Sequence, residues 1–187
     1  RDNIDYNNQH NKICTRMLPN GMYSLSHDKY IATVSEYRTL MREAFSIYYE
    51  KISSKIEEIY HVPSVYNDKL NLPGFHIFKP HCMGASQYTA INFHKDIFMY
   101  LNKFCAVGEI YSLIIPICLP SDGGSLLWRT SQETNDKIFK YRVGMLAEWK
   151  GNLVHSIEPF TCKNETECRI TFQIHVNLLP DKAIIFW

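Results

Sequence analysis

Two different periodicities divide the chain. Between positions 35 and 62, apolar residues such as Leu40, Ala44 and Tyr48 recur every three or four positions, which is the spacing of an amphipathic helix. The pattern ends before Pro63, a residue that cannot continue a helix. It predicts a supporting helix over 35–62, with an apolar stripe that packs against a sheet.

Beyond residue 73 the pattern changes to short β-rich runs separated by turn residues such as Asp122, Gly123 and Gly124. The predicted strands cover 75–79, 87–94, 109–119, 125–128, 140–143, 145–149, 153–157 and 169–178. Such a succession of strands after one long helix predicts a mostly β fold, a sandwich or jelly roll, rather than alternating βαβ units. We expect a single domain over 1–187, with an irregular lead-in at 1–34, the helix at 35–62 and a jelly-roll core at 73–187.

Composition excludes several functional classes. Hydrophobic residues make up 45% of the chain, as in an ordinary globular protein. Twenty Lys and Arg against 19 Asp and Glu give a net charge of +1, which disfavours binding to duplex nucleic acid. The apolar runs are far shorter than the ~20 residues of a membrane-spanning helix, so no span is expected.

Cysteine usage bears on the compartment. None of the six cysteines forms a C-x-x-C pair, so a zinc ribbon or a redox motif is not indicated. Reduced thiols favour the cytoplasm. Cys162 and Cys168 flank a polar loop with an N-x-T sequon at Asn164, so a disulfide-closed, glycosylated loop in a secretory compartment stays open.

One constellation carries chemistry. His94 and Asp96 are two positions apart near the end of an extended run, so their side chains point to the same side of a strand. His155 lies in another predicted strand. Two histidines and one carboxylate form the facial triad of non-haem Fe(II) oxygenases. On these residues alone, His94 can equally be an ordinary surface or core histidine.

A second pair strengthens the functional interpretation. Arg169 and Thr171 share one face of the predicted strand 169–178. A guanidinium is a rigid fork for a carboxylate, and a hydroxyl beside it adds a hydrogen bond. The pair therefore predicts a dicarboxylate anchor, whereas an edge-strand ion pair is the structural alternative.

The order of these motifs resembles the Fe(II)/2-oxoglutarate-dependent dioxygenase superfamily. The resemblance spans about 75–178 and comprises H-x-D, two glycines before an apolar strand, the segment 144–149, His155 and R-x-T. It implies a double-stranded β-helix, the cupin-like jelly roll, with a long N-terminal supporting helix. It also implies that His94, Asp96 and His155 hold Fe(II), with positions left for 2-oxoglutarate and O2.

The resemblance further implies the activity. Arg169, assisted by Thr171, would bind the distal carboxylate of 2-oxoglutarate. Hydroxylation of an unactivated C–H bond would release succinate and CO2. Halogenating members replace the carboxylate of the triad with a small residue, and Asp96 is retained here, which favours hydroxylation.

Two tyrosines and several other residues complete the expected site. Tyr111 resembles a family tyrosine that contacts the co-substrate, although core packing is an equal alternative. Tyr88 shares the strand parity of His94 and is expected to project into the barrel, near the co-substrate. Substrate contacts are expected from Asn92, Trp128, Arg129, Gln173 and His175.

The substrate does not follow from the motif, because the fold and iron site serve many substrates. A small metabolite such as an amino acid, or a protein side chain, is expected. Two alternatives stay open: a non-catalytic cupin-like module that binds a metal or ligand, and a sensor of 2-oxoglutarate or oxygen.

Overall fold

The computed structural model describes residues 14–18, 27–79, 87–88, 93–96, 98, 101–130, 135–161, 163–164 and 166–187. The elements are β1 (Cys14–Leu18), α1 (His27–Tyr60), β2 (Ser64–Tyr66), β3 (Gly74–Lys79), β4 (Gln87–Tyr88), a 3₁₀ turn (Leu101–Lys103), β5 (Glu109–Cys118), β6 (Leu126–Arg129), β7 (Lys137–Phe139), β8 (Ala147–Lys150), β9 (Val154–Ile157), β10 (Phe160–Thr161), β11 (Arg169–Leu178) and β12 (Ala183–Phe186). The long helix α1 is kinked at Phe45. Within this described part, no helix has both the length and the apolar character needed to cross a bilayer.

The major sheet is built around β11. Along one edge, β11 pairs with β3 through residues 169–173 and with β12 through residues 175–178. Along the other edge it pairs with β5 over nearly its whole length. The sheet continues from β3 to β1, from β12 to β2 and from β5 to β8, and only the β12–β2 pairing is parallel. β11 therefore lies at the centre of the major sheet.

A second layer of strands faces the major sheet. Its centre is β6, which pairs with β7 and β9, while β4 pairs with β10. One apolar cluster joins Ile114 and Ala147 of the major sheet to Leu126 of β6 and to Tyr141. Two facing, largely antiparallel layers are compatible with a jelly roll, and the mostly β fold class predicted from the sequence is confirmed.

The side chains of β11 alternate between the two faces of the major sheet, as the strand period requires. Phe172, Ile174 and Val176 point toward α1 and share a buried cluster with Met41 and Ile56. The apolar stripe of α1 thus packs on the outer face of this sheet. The opposite, inner face of β11 carries Arg169, Thr171, Gln173, His175 and Asn177, all but Gln173 fully buried.

Several boundaries differ from the sequence-based expectation. α1 begins at His27 rather than at residue 35, because periodicity marks only the part of a helix with a clear apolar stripe. β1 lies inside the lead-in expected to be irregular, and β2 and β12 were not expected either. These short strands depend on partners distant in sequence. The predicted strand 140–143 is absent, and β7 precedes it at Lys137–Phe139.

Candidate metal centre

The three residues of the predicted triad come together at the second layer. His94 and His155 form an antiparallel bridge in which each backbone N–H donates to the other carbonyl at 2.9 Å. Asp96 follows two positions after His94, on the same side of the chain. One ligand atom from each of His94, Asp96 and His155 can be chosen so that all three lie within 4.8 Å of one another, a separation that one metal ion can bridge.

The ring nitrogens are oriented for binding. The Nδ1 of His155 lies 2.9 Å from the carbonyl oxygen of Leu153, so it is the protonated donor and Nε2 keeps its lone pair. The Nε2 atoms of His155 and His94 lie 3.7 Å and 3.9 Å from Oδ1 of Asp96. Burial is the main cause that lowers the pKa of His155, which keeps the ring neutral.

Among the described residues, the three ligands differ in exposure. The side chain of Asp96 is 8% exposed and that of His155 is 11% exposed, whereas that of His94 is 43% exposed. His94 is therefore the most exposed of the three ligands in the described part of the chain.

Behind Asp96, a hydrogen-bonded chain crosses the inner face of the major sheet. The hydroxyl of Ser112, on β5, donates to Oδ2 of Asp96 at 2.8 Å. Ser112 Oγ also lies 3.2 Å from Nδ1 of His175, its direct cross-strand neighbour on β11. Burial lowers the pKa of His175 to about 4 despite the nearby Asp96 carboxylate, so the ring is neutral at pH 7.

Arg169 lies on the same inner face and is only 1% exposed. Its Nε donates to the carbonyl of Gly124 at 2.7 Å, and a terminal nitrogen lies 3.5 Å from Oγ1 of Thr171. The guanidinium carbon lies 5.4 Å from the ring centre of Phe78 and 5.9 Å from that of Tyr141. These contacts fix the fork in one orientation, which suits it to bind a carboxylate.

The turn before β6 shapes this arginine site. Gly124 has φ +78°, a conformation that favours glycine. A Cβ at this position would lie 2.9 Å from the ring of Pro120 and 3.4 Å from Cδ of Arg169. Glycine therefore lets the backbone carbonyl approach the guanidinium.

Two further buried residues lie close to Arg169 and Thr171. His76 lies directly across from Thr171, and the Nδ1 of His76 lies 3.1 Å from Nε2 of Gln173. Burial lowers the pKa of His76 to about 3, and the charges of Arg169 and His94 lower it further. Because the amide of Gln173 donates to Nδ1, the proton of the neutral ring lies on Nε2.

The second of these residues is Tyr141. Burial raises the pKa of its hydroxyl, the Arg169 charge opposes this shift, and the Asp96 carboxylate adds to it. Among the described residues, neither the Tyr141 hydroxyl nor Nε2 of His76 has a hydrogen-bond partner. Both atoms are therefore available to a ligand, although other buried polar atoms in the described part of the chain, such as the Tyr60 hydroxyl at the end of α1, share this property.

Tyr111 does not join the site. It lies on the helix-facing side of β5, where its ring centre is 5.3 Å from that of Tyr60. Its hydroxyl donates to Glu109 at 2.6 Å. This geometry contradicts the co-substrate contact expected from the resemblance, because the strand parity of Tyr111 is opposite to that of Ser112.

The expected substrate residues fall into different places. Trp128 is the direct cross-strand neighbour of His155, so it lies beside the centre. Arg129 lies on the next position, with its guanidinium carbon 4.1 Å from the ring centre of Phe93. Gln173 is on the inner face beside His76, and His175 lies behind Ser112.

Other expectations fall partly or wholly outside the described residues. Asn92 and Cys162 are outside them, and the backbone of Tyr88 pairs with Phe160 while its side chain is not described. Cys168 forms no disulfide, and its Sγ lies 3.6 Å from Sγ of Cys118, so the expected Cys162–Cys168 bridge is not formed. Glycosylation of the exposed Asn164 stays a prediction.

Sequence reasoning missed three inner-face residues. Ser112 is a lone small hydroxyl in an apolar strand, and His76 interrupts the apolar run of β3. Each is a polar residue at a strand position whose side chain faces the inner side of the sheet, and this pattern could have identified both. Tyr141 lies in the predicted strand 140–143, which the structure does not form, so strand parity could not place its side chain.

Comparisons with known proteins add little. No family model matches the chain, and no curated protein matches it significantly. Among solved structures, the crystal structure of a Pseudomonas putida prolyl-4-hydroxylase is similar over 91% of this chain and 74% of that chain, with 12% identity and a TM-score of 0.35. The fold described above rests on the strand pairings, not on this likeness.

Proposed function

We propose that the chain is an Fe(II)- and 2-oxoglutarate-dependent dioxygenase that hydroxylates an unactivated C–H bond and releases succinate and CO2. The combination of two features supports the proposal. Three side chains of the iron-binding type converge, and a buried arginine lies on the inner face of the facing sheet. A metal-binding module alone would not need the second feature.

The donor set fits Fe(II). Two neutral imidazoles and one carboxylate form the facial triad that leaves positions open for other ligands. In this role His94 and His155 bind through Nε2 and Asp96 through Oδ1. When bound, Fe(II) together with O2 and 2-oxoglutarate supplies the oxidising power for hydroxylation.

The inner face of the major sheet fits the co-substrate. Arg169 and Thr171 would bind the distal carboxylate, in a site from which most water is excluded and charge-assisted hydrogen bonds are strong. The Tyr141 hydroxyl is suited to donate to the same carboxylate. His76 lies across from Thr171, and its Nε2–H is a neutral donor suited to a polar group of the co-substrate.

The substrate would enter beside His94, the exposed ligand. Trp128 adjoins His155 at the same layer and is a candidate wall of the entrance. A small metabolite such as an amino acid, or a protein side chain, is the proposed substrate class.

Anaerobic absorption spectroscopy tests the proposal. Fe(II) and then 2-oxoglutarate are added to the purified protein, and bidentate chelation is detected by its weak visible charge-transfer band. We expect the band in the wild type and in Arg142→Ala, a control at an exposed arginine. Arg169→Ala should lose the band at the same co-substrate concentration.

Two other results would separate the alternatives. Tight metal binding without a charge-transfer band in the wild type would contradict the proposal and favour the non-catalytic module. A band without any succinate formed after O2 is admitted, over a panel of amino acids and peptides, would favour the sensor.

A further inference from the structure

The two oxygens of Asp96 have different surroundings. Oδ1 faces the Nε2 atoms of both histidines, at 3.7 Å and 3.9 Å. Oδ2 accepts a hydrogen bond from the Ser112 hydroxyl at 2.8 Å. The carboxylate therefore presents one oxygen to the metal position and the other to the protein.

The direction of each hydrogen bond in this chain is determined. The hydroxyl of Ser112 has a single proton, which it donates to Asp96. Ser112 Oγ must then accept from Nδ1–H of His175, at 3.2 Å. Each donor has one acceptor, so a χ1 rotation that moves Ser112 Oγ away would break both bonds.

His175 is itself held firmly. The ring is 3% exposed, and the ring centres of Phe98, Phe186 and Trp187 lie 4.8 Å, 5.5 Å and 5.9 Å away. Cross-strand pairing of Ser112 with His175 fixes the distance between them at the backbone level. Because these rings hold His175 in place, the hydrogen bonds through Ser112 also hold the Asp96 carboxylate in place.

We propose that Ser112, fixed in turn by His175, is a positioning residue that keeps the Asp96 carboxylate monodentate, with only Oδ1 available to the metal. The inference rests on the metal centre of the proposed function. Carboxylates bind metals through one or both oxygens, and a second oxygen on the metal would occupy a position needed by the co-substrate or O2. The hydrogen bond opposes this by holding Oδ2 toward Ser112 while Oδ1 faces the two histidines.

Co(II) binding tests the inference without any turnover. The metal is added to the metal-free protein, its affinity is measured by competition with a chromophoric chelator, and its visible d–d bands report the coordination number. We expect Ser112→Ala to bind Co(II) about tenfold more weakly, as outer-shell losses typically do. Its d–d bands should also change in position and shape, because a second carboxylate oxygen would replace another ligand on Co(II).

Rescue and control variants separate positioning from a general packing defect. Ser112→Thr keeps the hydroxyl and should restore the wild-type spectrum. His175→Asn keeps an N–H near the place of Nδ1 and should change the spectrum less than His175→Leu. Ser156→Ala removes another buried hydroxyl, on β9 with parity opposite to His155, and should leave the spectrum unchanged.

Failure of this inference is distinguishable from failure of the proposed function. A folded Ser112→Ala protein with wild-type Co(II) affinity and spectrum overturns the positioning role and leaves the metal centre intact. A wild-type protein that takes up no Co(II) overturns the metal centre itself.

Discussion

The two faces of β11 are both buried, yet they are built from opposite chemistries. The face toward α1 carries Phe172, Ile174 and Val176, packed with apolar residues of the helix. The inner face carries Arg169, Thr171 and other polar residues at the same depth. Burial of polar groups is unfavourable unless they are hydrogen-bonded. The outer face thus accounts for stability, whereas the inner face has the composition of a binding site.

The largest expected effect is on metal binding. His155→Ala removes one of three metal ligands, and we expect the protein to retain no stoichiometric metal after dialysis, since even an outer-shell loss lowers metal affinity 10–100-fold. Metal content is measured by mass spectrometry after loading with Fe(II) under anaerobic conditions. A variant that still holds one equivalent would remove His155 from the site.

A substitution on the outer face should affect stability instead. Phe172→Ala is expected to lower the free energy of unfolding by about 3–5 kcal/mol, because it leaves a cavity in the cluster beneath α1. Thr171→Val, its neighbour on the inner face, should lower it by only about 1 kcal/mol, since valine keeps the volume and loses the long hydrogen bonds to Arg169 and Gln173. Urea unfolding measures both. Equal losses of unfolding free energy in the two variants would contradict the assignment of stability to the outer face and of binding to the inner face.

Arg169→Ala should weaken 2-oxoglutarate binding without releasing the metal. Removing a buried charged partner typically weakens binding by about 2–5 kcal/mol, or at least about 30-fold in the dissociation constant. Arg169→Lys should have an affinity between those of the wild type and Arg169→Ala, since lysine keeps the charge but lacks the planar guanidinium. Anaerobic calorimetry measures the affinities, and an unchanged dissociation constant in Arg169→Ala would refute the anchor.

The inner face should also make the metal-free protein sensitive to acid. Its two fully buried histidines, His76 and His175, have pKa values of about 3 and about 4, below the ordinary 6.5, chiefly because of burial. As the pH falls below 6.5 the unfolded chain takes up protons first, so stability is complete above that pH and decreases toward pH 4.

The size of this effect is testable with one variant. Between pH 7 and pH 5.5 each histidine should lower the unfolding free energy by about 1 kcal/mol. His175→Asn should remove its share of the loss in urea titrations at the two pH values. The same decrease in wild type and variant would show that His175 does not titrate as described.

The smallest expected effect is a change in 2-oxoglutarate affinity when one of two tyrosines, but not the other, loses its hydroxyl. Tyr141→Phe should weaken 2-oxoglutarate binding by about 0.5–1.5 kcal/mol, the usual contribution of one hydrogen bond. Tyr111→Phe should leave the affinity unchanged, because its hydroxyl contacts Glu109 on the other side of the sheet. The reverse order would restore the assignment suggested by the resemblance.

Local pattern was sufficient for part of the fold. The period of α1 and the long alternating strands β5 and β11 are visible in the sequence because each has a continuous apolar face. The short strands β1, β2 and β12 have no such signal, since their partners are remote in sequence. Their existence depends on tertiary pairing.

The same division applies to the site. H-x-D and R-x-T each lie within one short segment, so strand parity alone predicted which of their side chains share a face. Tyr111 failed because a positional likeness to a family residue does not fix parity. Ser112 and His76 required knowledge of which strands are neighbours, and only the sheet provides it.

The most direct test of the account is the metal dependence of 2-oxoglutarate binding. Its dissociation constant is measured anaerobically for the wild type and Arg169→Ala, each with and without Fe(II). If the metal centre and Arg169 hold opposite ends of one molecule, affinity should fall when either is removed and nearly vanish when both are. An affinity in the wild type that is independent of Fe(II) would contradict the central claim that the inner face forms one composite site.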